Sequence, residues 1–209
     1  MIAIVEYEGN LRSVQKGFEF VGAEAVITSD PETLRRADAI VLPGQGAFGT
    51  TMKRLNTTGV ADTVRDAILG GKPYLGICLG LQVLFDASEE APGVPGLGIL
   101  KGNVVRFDTR LKVPHMGWNQ LRFHRKPRHF ELVDEGAFVY FVHSYYVVPE
   151  ETDLVAATTD YGVEFVSAVY RENVCAMQFH PEKSQSVGLN VLRSFAQMVA
   201  EPNEASRRS

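Results

Sequence analysis

Residues 73–80 read Pro73-Tyr74-Leu75-Gly76-Ile77-Cys78-Leu79-Gly80, and this stretch decides the fold. The apolar run from Pro73 to Ile77 predicts a buried strand, and Leu79 to Asp86 predicts the helix that follows it. A cysteine between the two, with a glycine two residues away on either side, is typical of a sharp strand-to-helix turn. Such a turn holds a nucleophile clear of the sheet.

The residues before this turn repeat the same alternation. Strands are predicted at 2–5, 25–27 and 39–42, and helices at 10–22, after the capping residue Asp30, and at 58–69. This alternation predicts an α/β fold with a central, mostly parallel sheet flanked by helices. Ligands bind beyond the carboxyl ends of such strands, where Pro43-Gly44 and Cys78 are expected to lie.

The second half of the chain changes character. Strands are predicted at 98–107, 138–148, 154–159, 163–170 and 173–179, with no long helix between them. They favour an antiparallel extension of the sheet, or strands that pack beside it. A final helix is predicted at 186–200. We therefore expect a single domain over 1–200 and a polar tail over 201–209.

Length and composition fit one compact domain. The chain has 209 residues, of which 45% are hydrophobic, and its formal net charge of −4 argues against a nucleic-acid partner. No apolar run reaches the ~18 residues of a membrane helix, and the first residues fit a strand better than a signal peptide. Two cysteines predict neither a disulfide framework nor a zinc site. We expect a reduced, cytoplasmic protein without a metal or another cofactor.

Cys78 is the candidate nucleophile. The N-terminus of the predicted helix after it would favour the thiolate. The alternative is a structural cysteine in a glycine-rich turn, and the turn alone does not decide between them. Cys175 lies within the strand segment Val174–Met177 without glycines around it, so we expect it to belong to the core.

A cysteine nucleophile needs a base, and the base needs an orienting group. His180 and Glu182 follow a predicted strand and lie two residues apart, so both can point to the same side of an extended segment. The alternative is a surface turn. Among the other histidines, we expect His124 and His129 to be solvated. His115 and His143 are either site-lining or structural.

The glycine-rich segment from Leu42 to Gly49 follows another predicted strand. Its backbone N–H groups, together with that of Leu79, favour an oxyanion hole. The competing interpretation is phosphate binding. The segment lacks both the ending of a P-loop and the spacing of a dinucleotide-binding loop.

The three motifs together resemble one family. Pro43-Gly44-x-Gly46, Gly76-x-Cys78-x-Gly80-x-Gln82 and His180-Pro181-Glu182 stand in the order found in class I (triad) glutamine amidotransferases. The resemblance covers nearly the whole chain. It implies that Cys78 attacks the side-chain amide of glutamine, that ammonia leaves a glutamyl thioester, and that water then releases glutamate.

Further segments resemble the glutaminase subunits of imidazole glycerol phosphate synthases, which act in histidine biosynthesis. They are Pro114-His115-Met116-Gly117-Trp118-Asn119, Tyr140-Phe141-Val142-His143-Ser144-Tyr145-Tyr146 and Lys183-Ser184. This resemblance implies a heterodimer with a separate (β/α)₈ barrel cyclase subunit. Ammonia would pass to that partner, which makes imidazole glycerol phosphate and an aminoimidazole carboxamide ribotide.

The resemblance also implies a role for individual residues. The implied catalytic residues are Cys78 as nucleophile, His180 as acid and base, and Glu182 as its orienting group. The implied oxyanion hole is formed by Gly46 and Leu79, and glutamine is held by Gln82, Ser144 and Tyr145. The residues implied to face the partner or the ammonia exit are Asn10, Met116, Trp118, Asn119 and Lys183. The alternative for Trp118 is an ordinary core position. Gly117 and Asn119 beside it favour a loop, where a large aromatic side chain suits an interface.

Two positions depart from the family pattern. Glu8 stands where the family has a small residue, close to Asn10, and Gln45 stands where the family usually has valine. Because backbone groups act at Gln45, we expect activity to survive there.

Three alternatives remain open. The chain could serve as the amidotransferase subunit of another pathway, which the segment 114–119 argues against. It could be a stand-alone γ-glutamyl hydrolase, recognised by high activity without a partner. It could be a non-enzymatic subunit that keeps only the fold, which the intact set of Cys78, His180 and Glu182 argues against.

Overall fold

The structure, a computed structural model, describes residues 1–7, 11–108 and 110–201. Its helices are α1 Leu11–Phe20, α2 Pro31–Arg36, α3 Phe48–Thr57, α4 Val60–Leu69, α5 Leu79–Gln82 and α6 Gln185–Ala200. Its strands are β1 Ile2–Val5, β2 Ala25–Thr28, β3 Ala39–Leu42, β4 Tyr74–Ile77, β5 Ala87–Ser88, β6 Gly102–Arg106, β7 His115–Gln120, β8 Arg122–Phe123, β9 Phe138–His143, β10 Tyr145–Pro149, β11 Val155–Asp160, β12 Glu164–Arg171 and β13 Val174–Met177.

Eight strands form one sheet in the order β2-β1-β3-β4-β13-β12-β11-β8. Neighbours from β2 to β13 run parallel, and β12, β11 and β8 continue the sheet in antiparallel pairs. Strands β10, β6 and β5 form a second sheet, and β7 pairs with β9 in a two-stranded ribbon. The predicted fold class is confirmed, including the antiparallel extension in the second half.

Helices cover both faces of the large sheet. Tyr74 of β4 packs in the core under α2, α3 and α4, whereas its neighbour Leu75 packs in the core under α1 and α6. The parallel strands are therefore buried on both faces, which explains why they read as continuous apolar runs rather than alternating ones.

The topology brings distant motifs to one edge of the sheet. Strand β4 lies between β3 and β13, and the register aligns Gly76 with Leu42 on one side and with Ala176 on the other. The glycine-rich segment, Cys78 and the segment after Met177 therefore all leave the sheet at the carboxyl ends of three neighbouring strands. This is the predicted position of a ligand site.

Two helices differ from the prediction. Helix α3 was not predicted, although its buried residues Phe48, Thr51, Met52 and Leu55 recur at helical spacing. Helix α5 ends at Gln82 instead of Asp86. The carbonyls of Val83 and Leu84 accept hydrogen bonds from the segment 97–100 instead of from a further helical turn. Because these bonds involve residues 97–100, strand β6 begins at Gly102 and not at the predicted residue 98.

Two strand predictions are also corrected. The predicted strand 138–148 is two strands in different sheets, because the chain bends at Ser144 between β9 and β10. Trp118 lies in β7 and not in a loop. The ribbon runs from the pair His115–His143 to the pair Gln120–Phe138, so Gly117 is accommodated within a strand.

In the described ranges, no helix is long and apolar enough to cross a membrane. Residues 202–209 of the predicted tail lie outside the described residues, as do Glu8 and Asn10. The tail, the single-domain boundary at 200 and the role of Asn10 therefore stay predictions.

Candidate active site

The turn after β4 places Cys78 in a conformation that L-residues rarely adopt, with φ 53° and ψ −102°. Its N–H donates to the carbonyl of Met177 at 2.7 Å, which ties the turn to β13. A Cβ on Gly80 would lie 1.7 Å from the carbonyl oxygen of Leu42, and one on Gly76 would lie 2.6 Å from that of Gly80. Only glycine fits on either side of the cysteine. The predicted nucleophile turn is therefore required by packing as well as by backbone conformation.

Helix α5 contributes less to this site than expected. It spans only Leu79–Gln82, and a helix dipole falls off with so few aligned peptide units. Helix α5 is therefore a weak source of stabilisation for negative charge at this turn.

His180 and Glu182 are adjacent, as predicted. His180 Nδ1 donates to Glu182 Oε1 at 2.8 Å, and the two side chains are only 1% and 3% exposed. The backbone between them forms a short 3₁₀ turn at Pro181–Lys183 and is not extended. Ser184 Oγ donates to the carbonyl of His180 at 2.7 Å and accepts from the N–H of Tyr140 at 3.0 Å. His180 is thus anchored to β9.

Opposing effects set the charge of His180. Burial lowers its pKa, but the negative charges of Cys78 and Glu182 and the hydrogen bonds to both raise it to about 10. Nε2, the ring nitrogen turned away from Glu182, is buried and has no nitrogen or oxygen partner in the described part of the chain. Nε2 is therefore the ring nitrogen available for proton exchange with Cys78.

A cavity of about 380 Å³ lies beside Cys78, a volume that suits a small metabolite. All predicted oxyanion and glutamine-binding residues line it. The lining consists of Gly44, Gln45, Gly46, Cys78, Leu79, Gln82, Glu90, Pro114, Val142, His143, Ser144, Tyr145 and Lys183. The structure therefore brings together residues from six separate segments of sequence around the candidate nucleophile.

The glycine-rich segment forms the wall of the cavity above Leu79. Gly46 has a φ of 126°, a value open to glycine. A Cβ on Gly44 would lie 2.2 Å from the hydroxyl of Tyr7 and 2.5 Å from Cβ of Leu79. The segment therefore fits closely against the turn of the nucleophile at Gly44, while Gly46 is exposed.

Glu90 was missed in the sequence. Its Oε2 accepts a hydrogen bond from the N–H of Phe48 at 2.8 Å, so it caps α3 immediately after the glycine-rich segment while also lining the cavity. No local pattern relates Glu90 to Phe48, because 42 positions separate them.

Gln178 was also given no role, although it lies in the same segment as His180. It is fully buried, and its Nε2 lies 3.4 Å from Cys78 Sγ. Gln82, expected to hold glutamine, uses its own Nε2 within the protein. It donates to the carbonyl of Tyr145 at 3.0 Å and to Gln178 Oε1 at 3.1 Å.

Two predicted interface residues lie on the exposed face of the β7–β9 ribbon, and Lys183, from the Pro181–Lys183 turn, packs near them. Met116 and Trp118 are 61% and 46% exposed. The Trp118 ring packs edge-on against Tyr140 at 6.0 Å between centroids, and Lys183 Nζ lies 5.7 Å from the centroid of the same ring. Asn119 alternates to the opposite face, where its Nδ2 donates to the carbonyl of Asp160 at 2.8 Å.

Three of the remaining histidines are buried. Burial lowers the pKa of His115 to about 4 and, with nearby positive charge, that of His143 to about 3. His129, expected to be solvated, is only 3% exposed; burial and the charge of Arg128 lower its pKa to about 4. Its basic neighbours in sequence point outward, whereas His129 itself packs between the rings of Tyr170 and Phe195.

Cys175 lies fully buried in the core, where desolvation raises the pKa of its thiol. Within residues 1–7, 11–108 and 110–201, no group of three or more histidine, cysteine, aspartate or glutamate side chains is arranged to hold a metal ion.

Comparison with known proteins gives a consistent result. Residues 7–198 match the family model of class-I glutamine amidotransferases. The chain is similar to "Imidazole glycerol phosphate synthase subunit HisH" of Geobacter metallireducens, with 51% identity over 93% of this chain and 97% of that one. The subunit of the same name from Syntrophotalea carbinolica is 54% identical, over 95% and 100%. That of Methanothermobacter thermautotrophicus is 52% identical, over 95% and 99%.

Solved structures agree on the fold. One described as a crystal structure of a glutamine amidotransferase superposes with a TM-score of 0.76 at 22% identity, covering 95% of this chain and 98% of that one. A chain of PurLQS from Thermotoga maritima superposes with a TM-score of 0.72 at 20% identity, over 95% and 98%.

Proposed function

The chain belongs to the class-I glutamine amidotransferase family, and we propose from this that it is the glutaminase subunit of an imidazole glycerol phosphate synthase. In this role it releases ammonia from glutamine for histidine biosynthesis. The observation that carries the proposal is the buried contact of His180 with Glu182 at 2.8 Å, beside Cys78 at the floor of a cavity.

The first step is attack of the Cys78 thiolate on the side-chain carbonyl carbon of glutamine. The carbonyl oxygen becomes an oxyanion, which the N–H groups of Gly46 and Leu79 stabilise. Losing one such donor typically reduces the rate by ~10²–10³. His180, protonated at Nε2, gives that proton to the leaving nitrogen. The C–N bond breaks, and ammonia leaves a glutamyl thioester on the sulfur.

The second step returns the enzyme to its starting state. Neutral His180 takes a proton from water as the oxygen attacks the thioester carbon. The C–S bond then breaks, glutamate leaves, and the thiolate again pairs with the imidazolium. Glu182 keeps Nδ1 protonated throughout, so only Nε2 of His180 exchanges protons.

The substrate fits the cavity by size and by polar groups. Ser144 and Tyr145 lie at the bend between β9 and β10 and offer backbone and side-chain groups at the rim. Gln82 supports this rim through its bond to the Tyr145 carbonyl. Glutamine-binding roles for all three residues are part of the proposal.

The partner is a cyclase subunit that forms a heterodimer with this chain and has a (β/α)₈ barrel fold. Met116, Trp118 and Lys183 form the proposed contact surface. Exposed aromatic side chains on a rigid ribbon are typical binding anchors. We expect the isolated chain to be a poor glutaminase. Gly46 of the glycine-rich segment is exposed, and we propose that the oxyanion hole is completed only when the partner binds there.

Glutamate release from glutamine tests the proposal. The purified chain is assayed alone and then with an imidazole glycerol phosphate cyclase barrel and its nucleotide substrate. We expect strong stimulation that is lost in Cys78→Ser and retained in Cys175→Ser, the matched control in the core. Full activity without a partner would favour a stand-alone glutaminase. Activity that survives Cys78→Ser would refute the mechanism.

A further inference from the structure

We infer that Gln178 is a further catalytic residue, whose amide N–H donates to the sulfur of Cys78 and holds it as a thiolate. The inference rests on the proposed function only in taking Cys78 as the nucleophile. It assigns a chemical task to a side chain that is neither in the Cys78–His180–Glu182 set nor at the substrate surface.

The contact comes from the interior of the protein. Gln178 Nε2 lies 3.4 Å from Cys78 Sγ, and the whole residue is 0% exposed. Cys78 lines the cavity, whereas Gln178 is not among its described lining residues. The donor therefore belongs to the protein interior and not to the wall of the cavity.

The orientation of the Gln178 amide is fixed by its neighbours. The carbonyl of Tyr145 can only accept, so the Gln82 group 3.0 Å from it must be the donating Nε2. The same Nε2 lies 3.1 Å from Gln178 and must meet its oxygen. The NH₂ group of Gln178 is then directed at the sulfur. Reversing the amide would set NH₂ against NH₂ and an oxygen against a thiolate.

The Tyr145 carbonyl, which fixes the orientation of the Gln82 amide, accepts a second hydrogen bond. His143 Nδ1 donates to the oxygen of Tyr145 at 2.8 Å. Its Nε2 therefore accepts from His115 Nδ1 at 3.1 Å. Both rings are neutral near pH 7, because burial lowers the pKa of His115 to about 4 and that of His143 to about 3. In the series of hydrogen bonds that runs from His115 to Cys78, each amide and each imidazole ring thus has only one orientation in which its donors meet acceptors.

This arrangement favours the charged form of the sulfur over the neutral one. A hydrogen bond to an ionised acceptor is about twice as strong as one to a neutral acceptor. The one-turn helix α5 supplies little of this stabilisation, and His180 supplies charge from one direction only. Gln178 gives the thiolate a second, uncharged donor that does not change during the proton transfers.

The test is the pH dependence of alkylation of Cys78 by iodoacetamide, followed by mass spectrometry of the Cys78 peptide in the full-length chain. Gln178→Met keeps the length of the side chain and removes the donor. We expect the midpoint pH of alkylation to rise by about 1 to 2, which corresponds to the loss of one hydrogen bond to a charged group. Gln178→Glu, which places an acceptor at the sulfur, should raise it at least as much.

Ser167→Ala is the matched control, since Ser167 is equally buried on β12 and is bonded to Gln178 only through its backbone. It should leave the midpoint unchanged. Alkylation of the buried Cys175 reports unfolding, so a variant that exposes it is set aside and the other variant decides. An unchanged midpoint in the folded variants would overturn the inference. A shifted midpoint would support it even if the chain released no glutamate.

Discussion

Replacing Gly188 with alanine should damage catalysis from a position outside the cavity. Gly188 lies in the first turn of α6, and a Cβ there would sit 1.8 Å from the carbonyl oxygen of Pro181. Contact at 3.4 Å counts as ordinary, so the helix or the Pro181–Lys183 turn must move by about 1.6 Å. That turn carries Glu182 and directly follows His180, so the displacement reaches the proposed catalytic base.

Two known effects oppose each other in this variant. Alanine has a higher helix propensity than glycine by ~1 kcal/mol, whereas overpacking a rigid contact costs ~1–3 kcal/mol. Because the clash is with backbone atoms that cannot rotate away, we expect net destabilisation. A misplacement of about 1 Å can reduce the rate by ~10²-fold, so we expect kcat for glutamate release to fall by about that factor.

The assay is glutamate release in the presence of the cyclase partner, with a urea unfolding curve for the same preparation. Ser186→Ala is the control on the same turn of α6, where the side chain is exposed. It should leave both kcat and stability close to those of the parent chain. A Gly188→Ala variant with unchanged kcat and higher stability would show that helix propensity dominates and would refute the close-packing argument.

Three further predictions concern separate parts of the molecule. His129→Phe should make stability less sensitive to acid, because the pKa of His129 falls from 6.5 to about 4 on folding and the unfolded chain therefore binds the proton first. In the parent chain, stability is lost as pH falls from 6.5 towards 4, by up to ~3 kcal/mol. Urea unfolding at pH 7.5 and 4.5 measures this loss, and an equal loss in the variant would contradict the prediction. Trp118→Ala should weaken partner binding by at least ~30-fold in calorimetry, whereas Val148→Ala, a similarly exposed position on β10, should not; equal effects would exclude the ribbon as the contact surface. Glu182→Gln should lower kcat by ~10²–10⁴, and near-normal turnover would show that the carboxylate does not orient His180.

The sequence could predict the parts of the site that depend on neighbours along the chain. The turn at Cys78 is identified by glycines two residues away, and Glu182 is identified by its offset from His180. The parallel strands were found because burial on both faces gives them apolar runs. In each case the physical requirement acts within a few residues, so a local pattern records it.

Other features depend on contacts that no local pattern records. Gln178 bonds to a sulfur 100 positions away, and Glu90 caps a helix 42 positions away. His129 lies among basic residues, and only the tertiary packing of α6 shows that it is buried. Trp118 follows a glycine, and only its pairing with β9 makes the segment a strand. The roles of these residues can be inferred only once the fold is known.

The position of β13 has a consequence for the order of events during synthesis. Strand β4 is translated long before β13, yet β13 lies directly beside it in the centre of the sheet. A ribosome that has completed residues 1–170 has produced the sulfur, its turn and the glycine-rich segment, but neither His180 nor Gln178. At ~5–20 residues per second, Cys78 is present for several seconds before His180, its proposed base, has been synthesised. The nascent chain therefore cannot consume glutamine, and ammonia release begins only once the last strand has been inserted.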